Sequence, residues 1–359
     1  MSNQSKRRVA ILVKIVPNKL GSFEDWIVAL AVELARDCTV TVVTYSPCHS
    51  EFSERLRSAG VRWAELSRIE SSIQASRHWI KSNADVCHFS LFAPRDSLVL
   101  AAQSVLSTKV IFQDCFSTPV NSEKVGRISE FLDRVTFART RHVVGVSEFV
   151  SKRLARRFGI SSPKLSTIYN GVDSERFLSR SAPSDSSRVV CVAALIPEKG
   201  VQYLIQAMAT SRLQYTSLCI VGDGPMRVEL ERLAAKLQIA SRIEFLGLRS
   251  DVQEIVGNCA AVVHPAVWGE AFGLTIVEAM LSGRAIVASN VGAIPELLAE
   301  GCGVLVPPGD HTSLAEAIGD LLDNPSRRDE YGRRARVKAT KDFSLVNWCH
   351  EHAILIRSV

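Results

Sequence analysis

The sequence predicts an α/β protein built from two doubly wound domains. Short apolar runs rich in β-branched residues alternate with amphipathic stretches of about ten to fifteen residues, which is typical of βαβ units with parallel strands. A chain of 359 residues is long enough for two domains that each bury their own core. The 47% share of hydrophobic residues argues against a disordered or fibrous chain.

Each strand is predicted where a short apolar run follows polar or charged residues. In the first half these runs are Val9–Val16, Thr39–Thr44, Val86–Phe89, Val110–Gln113 and His142–Val146. In the second half they are Val189–Leu195, Leu218–Val221, Ile243–Phe245, Ala261–His264, Ala285–Ala288 and Val304–Val306. The stretches between the runs carry apolar residues at helical spacing and are predicted as helices.

The domain boundary is predicted at the most linker-like segment of the chain, residues 181–187, which is rich in serine and contains a proline. A new strand begins directly after it. We therefore expect a first domain over residues 1–183 and a second over residues 188–340. Residues 341–359 have the pattern of an amphipathic helix.

Composition excludes several classes of protein. No apolar run reaches the 18 residues of a membrane span, and the basic residues before Val9 are followed by no cleavage site, so no secretory signal is predicted. The nine cysteines form no C-x-x-C pair, and their odd number is typical of a reducing compartment, which makes the cytoplasm the expected location. No Asp-x-Asp and no metal-ligand spacing occurs, so we expect chemistry without a bound metal. No G-x-G-x-x-G follows the first strand of either half, which argues against a nicotinamide or flavin dinucleotide.

Positive charge is concentrated in the first half. Residues 1–180 carry a net charge of +9, and the remainder carries −3. The segment Glu148–Phe158 combines apolar residues on one helical face with Lys152, Arg153, Arg156 and Arg157 on the rest, a pattern that can lie on an anionic membrane surface. An ordinary solvated surface helix explains the same pattern and is the commoner case. No nucleic-acid recognition motif accompanies the charge.

The segment that is most informative about function runs from His264 to Glu278. It follows a predicted strand and opens a predicted helix, so residues 271–275 should present backbone N–H groups that suit an anion. Glu270 precedes this turn, and Glu278 has apolar neighbours, where a carboxylate needs polar partners such as sugar hydroxyls. Pairing of Glu278 with an arginine and solvation of Glu270 explain the spacing equally well. His264, at a strand end, is interpreted as a hydrogen-bonded structural residue.

A series of further segments appears in a fixed order. In the first half they are Gly21-Ser22, Asp85–His88, Val146–Phe149 and Ile168–Asp173 with Phe177. In the second half they are Leu195–Gly200, Val221–Pro225, Phe245–Gly247, Glu270–Met280, Pro295-Glu296 and Val304–Asp310. This ordered set resembles the retaining glycosyltransferases of the GT-B fold, specifically family 4, and covers most of the chain. The resemblance implies two Rossmann-like domains that face each other across a cleft.

The resemblance also implies a donor and the residues that bind it. The donor would be a nucleotide diphosphate sugar, UDP- or GDP-linked, held mainly by the second domain, with no further cofactor. By this likeness Lys199 neutralises the leaving diphosphate and Glu270 contacts the transferred sugar, so both are catalytic candidates. The other donor-binding candidates are Gly21, Ser22, Phe272, Gly273, Leu274, Thr275 and Glu278. In this fold the last helix, residues 341–359, is expected to return to the first domain.

The chain departs from the family pattern at two places. Ala193-Ala194 stands where such enzymes usually have Gly-Arg, so one diphosphate cation is missing, and Arg249 or Lys14 is a candidate replacement. Gln113-Asp114 stands where many relatives have a histidine near the reacting sugar. A glutamine can form hydrogen bonds but cannot titrate. Gln113 and Asp114 nevertheless remain the acceptor-side candidates.

These observations lead to a functional prediction. We expect a metal-independent retaining glycosyltransferase that moves a hexose to a hydroxyl of an acceptor bound by the basic first domain. The acceptor is a small molecule or a lipid-linked group, and contact with an anionic membrane is compatible with the charge. Two alternatives stay open: a divergent member with an unusual acceptor such as an amine or a cyclitol, and a non-catalytic nucleotide-sugar-binding protein.

Overall fold

The computed structural model of the protein describes residues 6–17, 21–46, 48–115, 127–177 and 187–359. These residues divide into two compact units. The first unit comprises the described chain up to Gly171 together with the last segment, Leu345–Val359. The second comprises the described residues between Val172 and Ser344. Residues 181–186 of the predicted linker lie outside the described ranges.

The first unit is a parallel sheet of seven strands with helices between them. Its strands are β1 (Arg8–Val13), β2 (Thr39–Thr44), β3 (Arg62–Glu65), β4 (Val86–Ser90), β5 (Lys109–Asp114), β6 (His142–Gly145) and β7 (Leu165–Thr167). Its first seven helices are α1 (Ser22–Ala35), α2 (Ser50–Ser58), α3 (Leu66–Ile69), α4 (Ile73–Asn83), α5 (Ser97–Gln103), α6 (Arg127–Arg139) and α7 (Glu148–Phe158). The strand order is β3-β2-β1-β4-β5-β6-β7. The order in which strands are added reverses between β1 and β4, as in a doubly wound sheet.

The sequence predicted the five central strands of this sheet and missed both edge strands. β3 and β7 are short, and their side chains are partly or fully exposed. The central strands are buried on both faces and therefore read as continuous apolar runs. An edge strand in contact with solvent lacks that signal, which is why the sheet is two strands wider than predicted.

The second unit is a parallel sheet of six strands in the order β10-β9-β8-β11-β12-β13. The strands are β8 (Arg188–Val192), β9 (Ser217–Val221), β10 (Ile243–Gly247), β11 (Ala261–His264), β12 (Ala285–Ser289) and β13 (Val304–Val306). The helices are α8 (Val201–Met208), α9 (Arg227–Lys236), α10 (Val252–Gly257), α11 (Leu274–Leu281), α12 (Ile294–Leu297), α13 (His311–Asp323) and α14 (Pro325–Asp342). Every strand predicted for this half is present, and the predicted α/β class is confirmed.

The last helix, α15 (Leu345–Ser358), packs against α1 of the first unit. The rings of Trp348 and Trp26 stack with their centroids 5.6 Å apart. The Arg357 guanidinium forms ion pairs with Glu33 and Asp37 at the end of α1. An aromatic contact and a charged contact thus fix the helix at both ends.

The basic helix α7 turns its apolar side into the first unit. Val150 and Leu154 are fully buried, and the Phe158 ring lies 4.9 Å from that of Phe137. The helix begins at a serine cap, where the Val150 N–H donates to Ser147 Oγ at 3.2 Å. Lys152 and Arg156 are exposed on the outer side of α7, Arg153 turns inward to Asp114, and the buried Val150 and Leu154 are unavailable to a membrane. In the part of the chain that is described, no helix has the length and apolarity needed to cross a bilayer. All nine cysteines are free thiols.

Candidate functional site

Lys199 lies in a tight turn that follows β8. The turn, Pro197–Lys199, ends at Gly200, which has a φ of +68°. A Cβ at Gly200 would lie 1.9 Å from the Pro265 carbonyl oxygen, so only glycine permits this approach of two backbone segments. The Val267 N–H donates to the Glu198 carbonyl at 2.9 Å and ties the turn to the loop after β11. Lys199 is thereby held beside that loop.

Glu270 is the buried carboxylate of this loop. Its residue is 7% exposed, so its interpretation as a solvated side chain is wrong. The Lys199 ammonium donates a hydrogen bond to Glu270 Oε1, and His264 Nε2 lies 3.4 Å from the same oxygen. Burial alone would raise the pKa of the Glu270 carboxyl, but His264 and Lys199 together outweigh it and lower that pKa to about 2. Glu270 is therefore ionised at physiological pH.

The loop after β12 fixes the backbone of Glu270. A Cβ at Gly292 would lie 2.3 Å from the Glu270 carbonyl oxygen, and Gly292 has a φ of +59°. The neighbouring Ala293 N–H donates to the same carbonyl at 2.9 Å. The carboxylate is thus oriented by its side-chain partners and by its own main chain.

Helix α11 begins four residues after Glu270. Gly273 caps it in a left-handed conformation with a φ of +108°. Within the described residues, the first backbone N–H of this turn that donates back into the helix is that of Ile276, which binds the Gly273 carbonyl at 3.0 Å. The N–H groups at the start of a helix have no partner within it and carry its positive dipole end, so this turn suits an anion.

A hydrogen bond links the start of α11 to the His264 ring, which lies next to the buried carboxylate. Thr275 Oγ1 lies 3.3 Å from His264 Nδ1, on the side of the ring opposite to Glu270. The line Lys199, Glu270, His264, Thr275 therefore joins the turn after β8, the loop after β11 and the start of α11. Phe272 is buried with its ring 5.6 Å from that of Phe343, while Leu274 and Glu278 are half-buried.

The remaining candidates lie in the first unit. Gly21 and Ser22 form the start of α1, where the Gly21 N–H donates to the Glu24 carboxylate at 3.1 Å. Gln113 and Asp114 end β5 and are both buried. Their partners belong to the same unit: Ser90 Oγ donates to Gln113 Oε1 at 2.9 Å, and Arg153 donates to Asp114 at 2.9 Å.

Both candidate replacements for the missing cation have carboxylate partners. Lys14 forms an ion pair with Asp96 at 2.7 Å in the first unit. Arg249 follows β10 at the edge of the second sheet and binds Asp251 through two hydrogen bonds of 2.6 and 2.8 Å. Lys199 is thus the cation that the structure brings together with Glu270.

His264 is hydrogen-bonded to Thr275, as expected of a structural residue at a strand end, and it also lies 3.4 Å from Glu270, a contact that the sequence did not predict. His264 ends β11 six residues before Glu270, and the loop between them returns toward α11. This short spacing is the signal that could have identified the contact. Across the described ranges, no three His, Cys, Asp or Glu side chains cluster in a way that could hold a metal ion.

Comparison with known proteins gives matches in both halves of the chain. The model of "Glycosyl transferases group 1" matches residues 174–338, and that of "Glycosyltransferase Family 4" matches residues 24–176. A GDP-mannose-dependent alpha-(1-6)-phosphatidylinositol monomannoside mannosyltransferase of Mycolicibacterium smegmatis is 26% identical over 92% of both chains. An exopolysaccharide phosphotransferase of Streptomyces coelicolor is 32% identical over 55% of this chain, which spans only 21% of that protein.

A solved structure is similar over nearly the whole length. HepE of Anabaena, crystallised with UDP and glucose, matches with a TM-score of 0.79 at 20% identity and covers 97% of this chain and 99% of its own. This likeness confirms the class of fold that the motifs implied. The residues of the Lys199 and Glu270 arrangement all lie within the range matched by the first family model.

Proposed function

The chain belongs to the group 1 glycosyl transferases of family 4, and from this premise we propose that it is a retaining hexosyltransferase. It transfers the sugar of a UDP- or GDP-linked donor to an acceptor hydroxyl without a metal ion. The relatives support the donor class: the mannosyltransferase of similar length is named as GDP-mannose-dependent, and HepE was crystallised with UDP. The sequence supports the metal-independent reaction, since it has no Asp-x-Asp.

The observation that carries the proposal is the ionised, buried Glu270 held by Lys199 in front of the α11 N-terminus. The Lys199 side chain is 26% exposed, so its ammonium can bind a diphosphate that enters from solvent. The N–H groups of residues 273–275 supply further positive potential for the same anion. The Lys199 ammonium and these N–H groups are thus already oriented to stabilise the negative charge that develops on the leaving oxygen.

The proposed transfer step requires no protein nucleophile. The bond between the anomeric carbon and the diphosphate oxygen breaks, and the acceptor oxygen bonds to that carbon from the same face. The acceptor proton passes to the departing phosphate oxygen, so the products are the glycoside and the nucleoside diphosphate. Glu270 accepts hydrogen bonds from hydroxyls of the sugar and positions the sugar next to Lys199. Glu278, about one turn further along α11, is proposed to bind the ribose hydroxyls.

The test combines donor binding with product stereochemistry. A thermal-shift panel of UDP- and GDP-hexoses identifies the donor, because a ligand of the folded state raises the melting temperature. Transfer to candidate hydroxyl acceptors is then followed by mass spectrometry, and the anomeric configuration of the product by NMR. Retention with release of nucleoside diphosphate is expected. An inverted product, a nitrogen-linked product, or binding without turnover by any acceptor class would overturn the proposal, the last in favour of a binding protein.

We further propose that the first unit contacts an anionic membrane while it binds its acceptor. On α6, Ile128, Phe131 and Leu132 share one face and are 79%, 64% and 43% exposed. Helix α7 packs beside α6, and its Lys152 and Arg156 are exposed. Apolar side chains flanked by basic ones match the chemistry of an anionic bilayer surface. The acceptor named for the mycobacterial relative is itself a phosphatidylinositol derivative.

Sedimentation with vesicles of phosphatidylglycerol tests this contact. Phe131→Ser should weaken binding about tenfold, because it removes an aromatic side chain from the apolar interface. Val228→Ser, at an exposed apolar position of α9, serves as the matched control. Equal binding by the two variants would show that α6 does not contact the bilayer.

A further inference from the structure

The first unit contains a cavity of about 780 Å³ at the amino-terminal ends of β5, β6 and β7. Its wall is formed by the end of α5, the start of β5, the turn between α6 and β6, the residues before β7 and the end of α15. The cations that line it are Lys109, Arg139, Arg141 and Lys164. The volume falls in the range of small-molecule sites.

The positive charge of this cavity is not balanced by acidic side chains. No Asp or Glu is among the described residues that line it. None of the four cations forms an ion pair in the described part of the chain, and Lys164 donates instead to the Ala138 carbonyl at 2.7 Å. Burial, followed by the charges of Arg141 and Lys164, lowers the pKa of the neighbouring His142. Positive potential is therefore concentrated at a concave surface, where an anion would relieve it.

A buried acceptor lies in the same wall. The Gln103 side-chain amide donates to the Thr136 carbonyl at 3.0 Å and to Thr140 Oγ1 at 2.9 Å. Its oxygen, Oε1, is buried and receives no hydrogen bond within the described residues. A buried acceptor without a donor is costly, so a ligand hydroxyl that reached this oxygen after a small side-chain shift would relieve that cost. Gln103 thus adds a second kind of recognition to the four cations.

We propose that this cavity binds a small ligand that carries a phosphate group and hydroxyl groups. The lysine and arginine side chains form charge-assisted hydrogen bonds with the phosphate oxygens, and Gln103 accepts from a hydroxyl. The site is separate from Gln113 and Asp114, which lie at the opposite, carboxyl end of β5. The inference does not rest on the proposed transferase reaction.

Calorimetric titration with sn-glycerol 3-phosphate tests the site. The full chain is used with Lys199→Ala, so that the proposed diphosphate site contributes little to the heat. In this background Arg141→Gln and Lys164→Gln are compared with Arg77→Gln, which removes the same charge from an exposed position of α4 outside the cavity. A parallel arm measures sedimentation with phosphatidylglycerol vesicles, which present the same chemical group on a lipid, against phosphatidylcholine.

Each cavity variant should weaken binding about tenfold relative to Arg77→Gln, since one charge-assisted hydrogen bond is lost. An effect confined to the soluble phosphate identifies a free metabolite as the source, and an effect confined to the vesicles identifies a lipid headgroup. Unfolding midpoints show whether the variants remain folded. Arg141→Gln changes an exposed side chain and should leave the midpoint unchanged. Indistinguishable behaviour of the cavity variants and Arg77→Gln in both arms would overturn the proposal.

Discussion

Two buried titratable clusters, one in each unit, handle charge in opposite ways. In the second unit, Glu270 is buried and ionised beside the Lys199 ammonium and the His264 ring. In the first unit, the rings of His88 and His352 meet edge to face with centroids 5.4 Å apart, and burial lowers the pKa of both. No described donor or acceptor pairs with either ring nitrogen of His88.

The difference shows what burial costs when an opposite charge is present and when it is absent. Glu270 keeps its charge because two partners on neighbouring loops stabilise the anion more than burial disfavours it. The histidine pair has no carboxylate partner among the described residues and stays neutral, with a pKa of about 4 for His88. The first arrangement suits binding of a charged substrate, and the second suits the closed interior of a scaffold.

Removal of Lys199 is the change with the largest expected effect. Lys199→Ala should lower kcat by about 10² to 10³, because a preoriented cation is lost from the leaving group. Lys199→Arg keeps the charge and should lose less. Steady-state kinetics with the identified donor measures both.

Arg249→Ala is the control for this substitution. Its guanidinium is held by Asp251, so the rate should stay within about twofold of the unsubstituted protein. If Arg249→Ala loses as much activity as Lys199→Ala, Arg249 also binds the diphosphate and Lys199 is not its sole cation in the second unit.

Acid should destabilise the first unit through its histidine pair. The pKa of His88 is about 4 when folded, against 6.5 for an ordinary histidine, so the unfolded chain binds more protons between these values. The free energy of unfolding therefore falls as the pH drops below 6.5, by roughly 2 kcal/mol at pH 5. Urea unfolding at pH 7 and pH 5 measures the loss. His88→Leu should reduce that loss, and an undiminished loss would contradict the assignment.

A smaller effect is expected where the second cluster meets α11. Thr275→Val removes the hydroxyl that contacts His264 and keeps the volume of the side chain. The loss of one hydrogen bond of about 1 kcal/mol should lower kcat/KM about fivefold. Thr275→Ser retains the hydroxyl and should behave like the unsubstituted protein. A loss in Thr275→Ser that is absent from Thr275→Val would point to the methyl group instead.

The smallest expected effect concerns the pH–rate profile, to which Glu270 should contribute no loss of activity on the acidic side. Its folded pKa of about 2 lies below the ordinary 4.5, so the carboxylate stays ionised as the pH falls to about 4. A profile of initial rates over pH 7 to 4.5, taken only where the protein remains folded, should show no titration due to this group. Glu270→Gln should lower the rate equally at every pH in that range. A pH-dependent ratio would place the pKa of Glu270 much higher.

The sequence was sufficient for the α/β class, the central strands and the segment around Glu270. These features are local: buried parallel strands are continuous apolar runs, and the turn before α11 is one contiguous stretch. β3 and β7 were missed because solvent-facing edges carry no such run. The contact of His264 with Glu270, and the pairing of Asp114 with Arg153, depend on how loops fold back, which spacing along the chain does not encode.

The first unit is discontinuous in sequence, since α15 belongs to it although the whole second unit is translated in between. At about 5 to 20 residues per second, a ribosome needs on the order of ten to forty seconds to pass from Gly171 to the end of α15. During that interval the second unit can complete its fold, while the face of α1 that carries Trp26 is not yet covered by Trp348 of α15. The nascent first unit therefore cannot cover the Trp26 face of α1 until translation is nearly complete.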